Sequence, residues 1–305
     1  MITTIGEPAH PLVPAFLAYC AAHGREHDES FVPGATWAFG ADFPSFTLTD
    51  DAGEVRGVAA FMFGPSYRAA RRARVAVLHV ADTGDVAGYR ALVDAAFEAL
   101  RGHADSCYLF FPEILPVLRS ILEGLGFRFE RTAYLMRADI GSDANLKVAM
   151  DSLPPGYRLK SVGPDDERAI ADFVAVRNRN FRELKGSVDT RPEDLLAFMA
   201  SGEYLPGGLL LVLSPEGAPC GTLRVEREHD DEPDSGFIGT ISVDRERRGQ
   251  GLGRALVRTA LGISRQNGFR QAFLSVNADN EGPLALYRSE GFSLVKAMTC
   301  MEARI

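Results

Sequence analysis

Residues 241–254 read Ile-Ser-Val-Asp-Arg-Glu-Arg-Arg-Gly-Gln-Gly-Leu-Gly-Arg, passing from an apolar strand through a glycine-rich turn into a helical pattern that begins at Leu252. Gly249, Gly251 and Gly253 let the backbone approach an anion closely, and the unpaired N–H groups at the start of a helix point toward it. Arg248 and Arg254 add positive charge on either side of the turn. A pyrophosphate suits this junction. The spacing differs from the Gly-x-Gly-x-x-Gly of dinucleotide folds, and it lacks the Lys-Ser/Thr ending of a nucleoside-triphosphate loop.

Working outward, Leu252, Leu256, Val257, Ala260 and Ile263 fall on one helical face, and Gly268 supplies a stop. Upstream, Tyr157–Val162 reads as a strand, Pro164 to Phe181 and Pro192–Ala200 as helices, and Leu209–Leu213, Gly221–Glu228 and Phe237–Val243 as consecutive antiparallel strands. Downstream, Gln271–Val276 reads as a strand, Pro283 opens a short helix that Gly291 ends, and Phe292–Ile305 closes the chain as a strand or hairpin.

The chain also repeats itself. At a displacement of 165 positions, Gly126-Phe127 matches Gly291-Phe292, Met136 matches Met301, Ala138 matches Ala303 and Ile140 matches Ile305. One position less aligns Arg90-Ala91-Leu92-Val93 with Arg254-Ala255-Leu256-Val257. This predicts a duplicated α/β unit with a mixed sheet. Gly141–Pro155 has linker composition, so the expected division is residues 1–140, a linker at 141–156, and a second domain at 157–305.

The turn Arg248-x-x-Gly251-x-Gly253 and the later stretch Asn280-x6-Tyr287-x3-Gly291-Phe292 together resemble the GNAT acetyltransferase superfamily. The resemblance implies two tandem GNAT-like domains, each a mixed, mostly antiparallel sheet flanked by helices. Acetyl-CoA would be the co-substrate. Ile241, Ser242 and Val243 would then offer backbone groups to pantetheine as an added strand would. Arg248, Gly249, Gln250, Gly251, Leu252, Gly253 and Arg254 would hold the pyrophosphate, and Asn280 would hydrogen-bond the cofactor. Tyr287 would act as general acid toward the departing thiolate. Read from the residues alone, Asn280 serves equally well as a helix cap, and Tyr287 could be a packed core tyrosine.

The implied activity is acetyl transfer to a primary amine of a small molecule. A noncatalytic CoA-responsive module and a protein-lysine or N-terminal acetyltransferase are the alternatives. Many relatives carry a glutamate six residues before the Val243 position, where this chain has Phe237. Glu226, Glu228, Asp234 and Asp279 lie near in sequence, and none holds that position, so no base is assigned.

In the first half, Ala81-Asp82-Thr83-Gly84-Asp85 stands where the glycine turn would be, and Leu122 stands at the Tyr287 position. Two carboxylates there would repel phosphate, which makes this copy a scaffold or an acceptor-side wall. His23 and His27 share a helical spacing, but their acidic neighbours argue for solvent rather than a metal. Arg68, Arg71, Arg72 and Arg74 suggest a solvated hairpin, with an anionic ligand as the alternative.

The 305 residues are 46% hydrophobic and 24% charged, with a net charge of −8, which suits about two globular domains and argues against nucleic-acid binding. The N-terminus lacks a basic, apolar leader, and no stretch reaches the ~18 apolar residues of a membrane span. Four scattered cysteines read as reduced thiols. Together these predict a cytoplasmic protein with a small-molecule partner and no metal; the oligomeric state is left open.

Overall fold

The computed structural model describes residues 1–26, 31–140, 153–227 and 235–305. His27 and most of the expected linker lie outside the described residues, as do Glu228 and Asp234. In chain order the first half contains β1 (Ile2–Ile5), α1 (Val13–His23), β2 (Ser45–Thr49), β3 (Val55–Met62), α2 (Pro65–Ala69), β4 (Arg72–Val80), α3 (Val86–Leu100), β5 (Ser106–Pro112), α4 (Pro116–Gly124) and β6 (Arg128–Asp139). The second contains β7 (Arg158–Ser161), α5 (Glu167–Phe181), α6 (Pro192–Met199), β8 (Tyr204–Leu213), β9 (Pro219–Arg227), β10 (Ser235–Val243), α7 (Leu252–Gln266), β11 (Gln271–Asn277), α8 (Glu281–Ser289) and β12 (Ser293–Arg304).

These elements form two compact units, Met1–Thr132 with Ala297–Ile305, and Ala133–Lys296. The strands of the first run β1-β2-β3-β4-β5-β12, and those of the second run β7-β8-β9-β10-β11-β6. Among the described residues, β4 with β5 and β10 with β11 pair in parallel. The mixed α/β architecture expected from the repeat is present twice.

The closing strands depart from the expected division. β12 pairs antiparallel with β5, placing Met301 opposite Leu109, and β6 pairs with β11, placing Met136 opposite Leu274. Both partners shift by the 165-residue repeat, so the two pairings have the same register. Each repeat thus supplies the closing strand that pairs with the fifth strand of the other: β12 with β5, and β6 with β11. A sequential cut at residue 140 misses this because the closing strands are near-copies, and local pattern cannot say which sheet receives which copy.

Each unit buries one face of its long helix. In the first unit Leu92, Val93, Ala96 and Leu100 of α3 pack into a cluster with Ala59, Phe61, Val75 and Leu109. In the second, Leu252, Leu256, Val257 and Ala260 of α7 pack with Leu223, Val225, Ile238 and Leu274. Full burial of each leucine stabilises the fold by about 1.5–3 kcal/mol. Boundaries moved where capping chemistry decides them. α5 begins at Glu167 rather than Pro164, because the Asp166 carboxylate accepts from the Ala169 N–H at 2.9 Å. β8 begins at Tyr204, five residues before the apolar run that signalled it.

Candidate active site

β10 and β11 are paired through three residues only, Ser235 with Gln271, Gly236 with Ala272, and Phe237 with Phe273. Both strands continue past that point, to Val243 and Asn277, so they part toward their C-terminal ends and leave a wedge with Phe237 and Phe273 at its apex. The other edge of β10 stays paired with β9 as far as Val243, with a bulge between Ile238 and Thr240. A bulge increases local twist and turns a strand away from its neighbour. Backbone groups of Ile241, Ser242 and Val243 therefore line the opening instead of completing a ladder with β11. The end of β10 is also held from α5: Arg179 pairs with Asp244 at 2.6 Å, and Asn180 donates to Asp244 at 2.9 Å and to Ser242 Oγ at 3.3 Å. Sequence spacing gave no signal for these anchors.

The glycine turn follows directly. Gly249 (φ +78°) and Gly251 (φ +86°) lie in the left-handed region, where a side chain would be strained. Gly251 is the N-cap of α7, and no side chain caps that end. The first N–H groups of a 15-residue helix thus stand at the mouth of the wedge. Arg248 Nε donates to the Val243 carbonyl at 3.0 Å, and the Tyr157 hydroxyl donates to Gln250 Oε1 at 2.8 Å, so the loop is tied down on both sides.

Two residues of the motif also meet α8 or its end. Arg254, about half exposed, pairs at 3.0 Å with Glu290, the C-cap of α8. A Cβ on Gly253 would stand 3.2 Å from Leu286 Cδ2, which makes this glycine a spacer between α7 and α8. Asn280 is the N-cap of α8, but its side chain makes no capping bond, so the cap reading describes its backbone position only. Tyr287 is half-buried against the α7 core beside Phe292, with ring centroids 5.9 Å apart, and burial pushes its pKa up to about 12.

On the opposite face of the sheet lies a charged group that spacing alone could not single out. Glu226 on β9 is directly opposite Phe237 on β10 and, on its other side, opposite Tyr204 on β8. It is only 8% exposed and pairs with Arg224 Nε at 2.9 Å. Arg224 in turn lies over the Phe198 ring at 4.9 Å. The pair rests flat on the β10 bulge: a Cβ on Gly239 would come within 2.6 Å of Arg224 Nε and 2.7 Å of Glu226 Oε1. Nearby Arg177 stacks on Phe181 and donates to the Asn178 side chain; burial, with Arg224's charge adding to it, lowers its pKa to about 10.

The first unit repeats the wedge without its chemistry. β4 and β5 pair only through Arg72–Arg74 and Ser106–Tyr108. At the helix start, Asp85 caps α3 by accepting from Gly88 N–H at 2.9 Å, while Asp82 accepts from Gly84 N–H at 3.0 Å. The four arginines lie on the antiparallel β3–β4 pair and the segment joining it, where they are engaged by neighbouring side chains. Arg68 pairs with Asp42, Arg71 with Asp105, and Arg72 with Glu130 and Glu302; Arg72 and Arg74 are strand residues lying over Tyr108 and Phe31. His23 joins Glu26 at 3.1 Å, and Glu26 joins the buried His79 at 3.0 Å. The two imidazole planes are stacked at 13°, which directs their ring nitrogens along nearly parallel planes.

The duplicated sheet with its splayed parallel strands is a fold similar to that of solved tandem GNAT structures. Residues 173–292 match the Acetyltransferase (GNAT) family, and this match lies wholly within the second repeat. Over the whole chain the fold is similar to a GCN5-related N-acetyltransferase from Sphaerobacter thermophilus, with TM-score 0.71 and 19% identity, covering 99% of this chain and 95% of that one. It is equally similar to a tandem GNAT protein from the clavulanic acid biosynthesis pathway, with TM-score 0.71 and 18% identity, covering 100% and 98%.

Curated relatives of the chain include mycothiol acetyltransferases. That of Kocuria rhizophila is 29% identical over 210 residues, 67% of this chain and 64% of the relative. The Arthrobacter sp. protein is 31% identical over 155 residues, 50% of this chain and 46% of the relative. The matching portion thus spans less than two thirds of either relative. Among the described residues no helix is long and apolar enough to cross a membrane.

Proposed function

We propose that the second repeat binds acetyl-CoA and transfers its acetyl group to a primary amine on a small molecule. The observation that carries this reading is the wedge between β10 and β11 opening onto the uncapped N-terminus of α7. Pyrophosphate takes the N–H groups after Gly251, a contact contributing roughly 0.3–1 kcal/mol at an exposed helix end and more where buried. Gly249, Gln250 and Leu252 shape the turn around it, and Arg248 adds charge from the strand side. Pantetheine pairs with the backbone of Ile241, Ser242 and Val243, which brings the thioester toward the bulge at Gly239. Asn280, whose side chain makes no capping bond, contacts the cofactor. Arg254 and Gly253 support the site by setting α7 against α8.

Tyr287 is the acid-side group. With a pKa of about 12 it remains protonated at neutral pH. A cysteine-like thiol has a pKa near about 8.5, so full transfer from the phenol to a thiolate is uphill. Tyr287 therefore stabilises the departing sulfur chiefly by donating a hydrogen bond that strengthens as charge develops. The relatives' names support a small-molecule acceptor.

Calorimetry with acetyl-CoA, followed by a thiol-release assay across primary amines, tests the proposal. Saturable binding with amine-dependent release of free CoA is the expected result. Binding without thioester consumption across the panel would instead favour a noncatalytic CoA-responsive module, and acetylation of a protein lysine without activity on free amines would favour a protein-directed enzyme.

A further inference from the structure

We infer that Glu226 replaces the missing strand carboxylate and takes the proton from the acceptor amine. The inference rests on the acetyl-transfer reading and extends it to the base. Phe237 occupies the position from which a glutamate would face the thioester, and Glu226 is the residue directly across the β9–β10 ladder from it. Paired residues on neighbouring antiparallel strands share a sheet face, with Cβ atoms about 4.5–5.5 Å apart. Moving the carboxylate from β10 to the opposing position on β9 keeps it on the same face and beside the same wedge apex. The contact with Gly239 fixes the location further, since Glu226 Oε1 lies 2.7 Å from where a Cβ on that bulge residue would stand. Only glycine there lets the carboxylate reach the strand carrying the thioester.

Of the other carboxylates near in sequence, Asp279 is exposed at the far end of β11. The surroundings of Glu226 suit an amine. Tyr204 and Phe237 flank it on the two neighbouring strands, and Phe198 meets Tyr204 edge-on at 5.9 Å. Aromatic faces attract a cation while excluding water. Arg224, paired with Glu226 at 2.9 Å, favours the ionised carboxylate that a proton acceptor requires.

In the step, one proton of R–NH3⁺ passes to the Glu226 carboxylate, directly or through one water, and the freed nitrogen lone pair forms the C–N bond at the thioester carbon. The C–S bond breaks and its electron pair leaves on sulfur. Sulfur takes up the second proton that nitrogen loses, and Glu226 releases the first to solvent. Acetyl-amine and CoA thiol are the products.

The test compares Glu226→Gln with the parent protein using an alkyl primary amine, which arrives protonated, and a hydroxylamine, which arrives neutral at pH 7. The amide keeps the size of the carboxylate but cannot take the proton. Expected are unchanged acetyl-CoA affinity, a rate loss of about 10²–10⁴-fold with the alkylamine, and less than about tenfold loss with the hydroxylamine. Adding Phe237→Glu to the Gln variant returns a carboxylate to the same face and recovers at least about tenfold with the alkylamine. A Glu226→Gln protein within threefold of the parent, or one that loses both acceptors equally, overturns the inference. Absence of turnover in the parent with every amine, despite acetyl-CoA binding, overturns the acetyl-transfer reading and this inference with it.

Discussion

The two repeats build the same wedge and finish it in opposite ways. In the first, α3 starts at Asp85, whose carboxylate accepts from the Gly88 N–H and sets a negative charge where an anion would sit. In the second, α7 starts at Gly251 in a left-handed conformation with no side chain on those groups. Both helices have 15 residues and bury equivalent leucines, so the difference does not arise from the scaffold. An N-cap carboxylate stabilises its own helix and removes an anion site, while a glycine gives up that stabilisation and leaves the site open. The opposing faces diverge as well: where the second repeat pairs Glu226 with Phe237, the first pairs Met62 with Arg74.

This contrast can be broken at the chemistry first. Tyr287→Phe should lower the transfer rate by about 10²-fold or more while leaving acetyl-CoA affinity unchanged, as read by steady-state kinetics and calorimetry. In the parent, a phenol held at about pKa 12 stays protonated throughout pH 6–10, so the rate should show no alkaline loss from this group below pH 10. A falling limb near pH 8 that vanishes in the Phe variant would contradict that assignment.

The scaffold should respond symmetrically. Leu92→Ala and Leu256→Ala occupy matching, fully buried positions, and each should destabilise its own unit by about 2–5 kcal/mol in urea unfolding. Markedly unequal losses would mean that the two cores are not energetically equivalent.

Binding should respond asymmetrically. Gly251→Glu adds strain at φ +86° and a negative charge at the proposed pyrophosphate position, so acetyl-CoA affinity should fall about a hundredfold. Unchanged affinity would remove the turn from the site. Asp85→Ala should cost about 1 kcal/mol as a lost cap, seen as a small drop in melting temperature, with no change in acetyl-CoA affinity. A gain in affinity would show that the first repeat retains a masked anion site.

Much of this was legible in the chain. Leu252, Leu256 and Ala260 announced their helix by period, Gly249 and Gly251 announced a left-handed turn by composition, and the shift from Met136 to Met301 announced the duplication. Such signals are local, set by backbone sterics and by the spacing of apolar side chains along one element. A positive residue beside a glycine turn looks the same in sequence whether or not it also pairs elsewhere, as Arg254 does with Glu290 at the end of α8.

The sequence by itself determined the two α/β units, the glycine turn and the loss of that turn from the first copy, because each depends on neighbours a few residues apart. Only the tertiary structure decided which sheet receives β6 and β12, where β10 leaves β11, and that Glu226 stands across from Phe237. Those outcomes depend on strand register, which brings distant residues face to face and leaves no mark in the spacing of either segment.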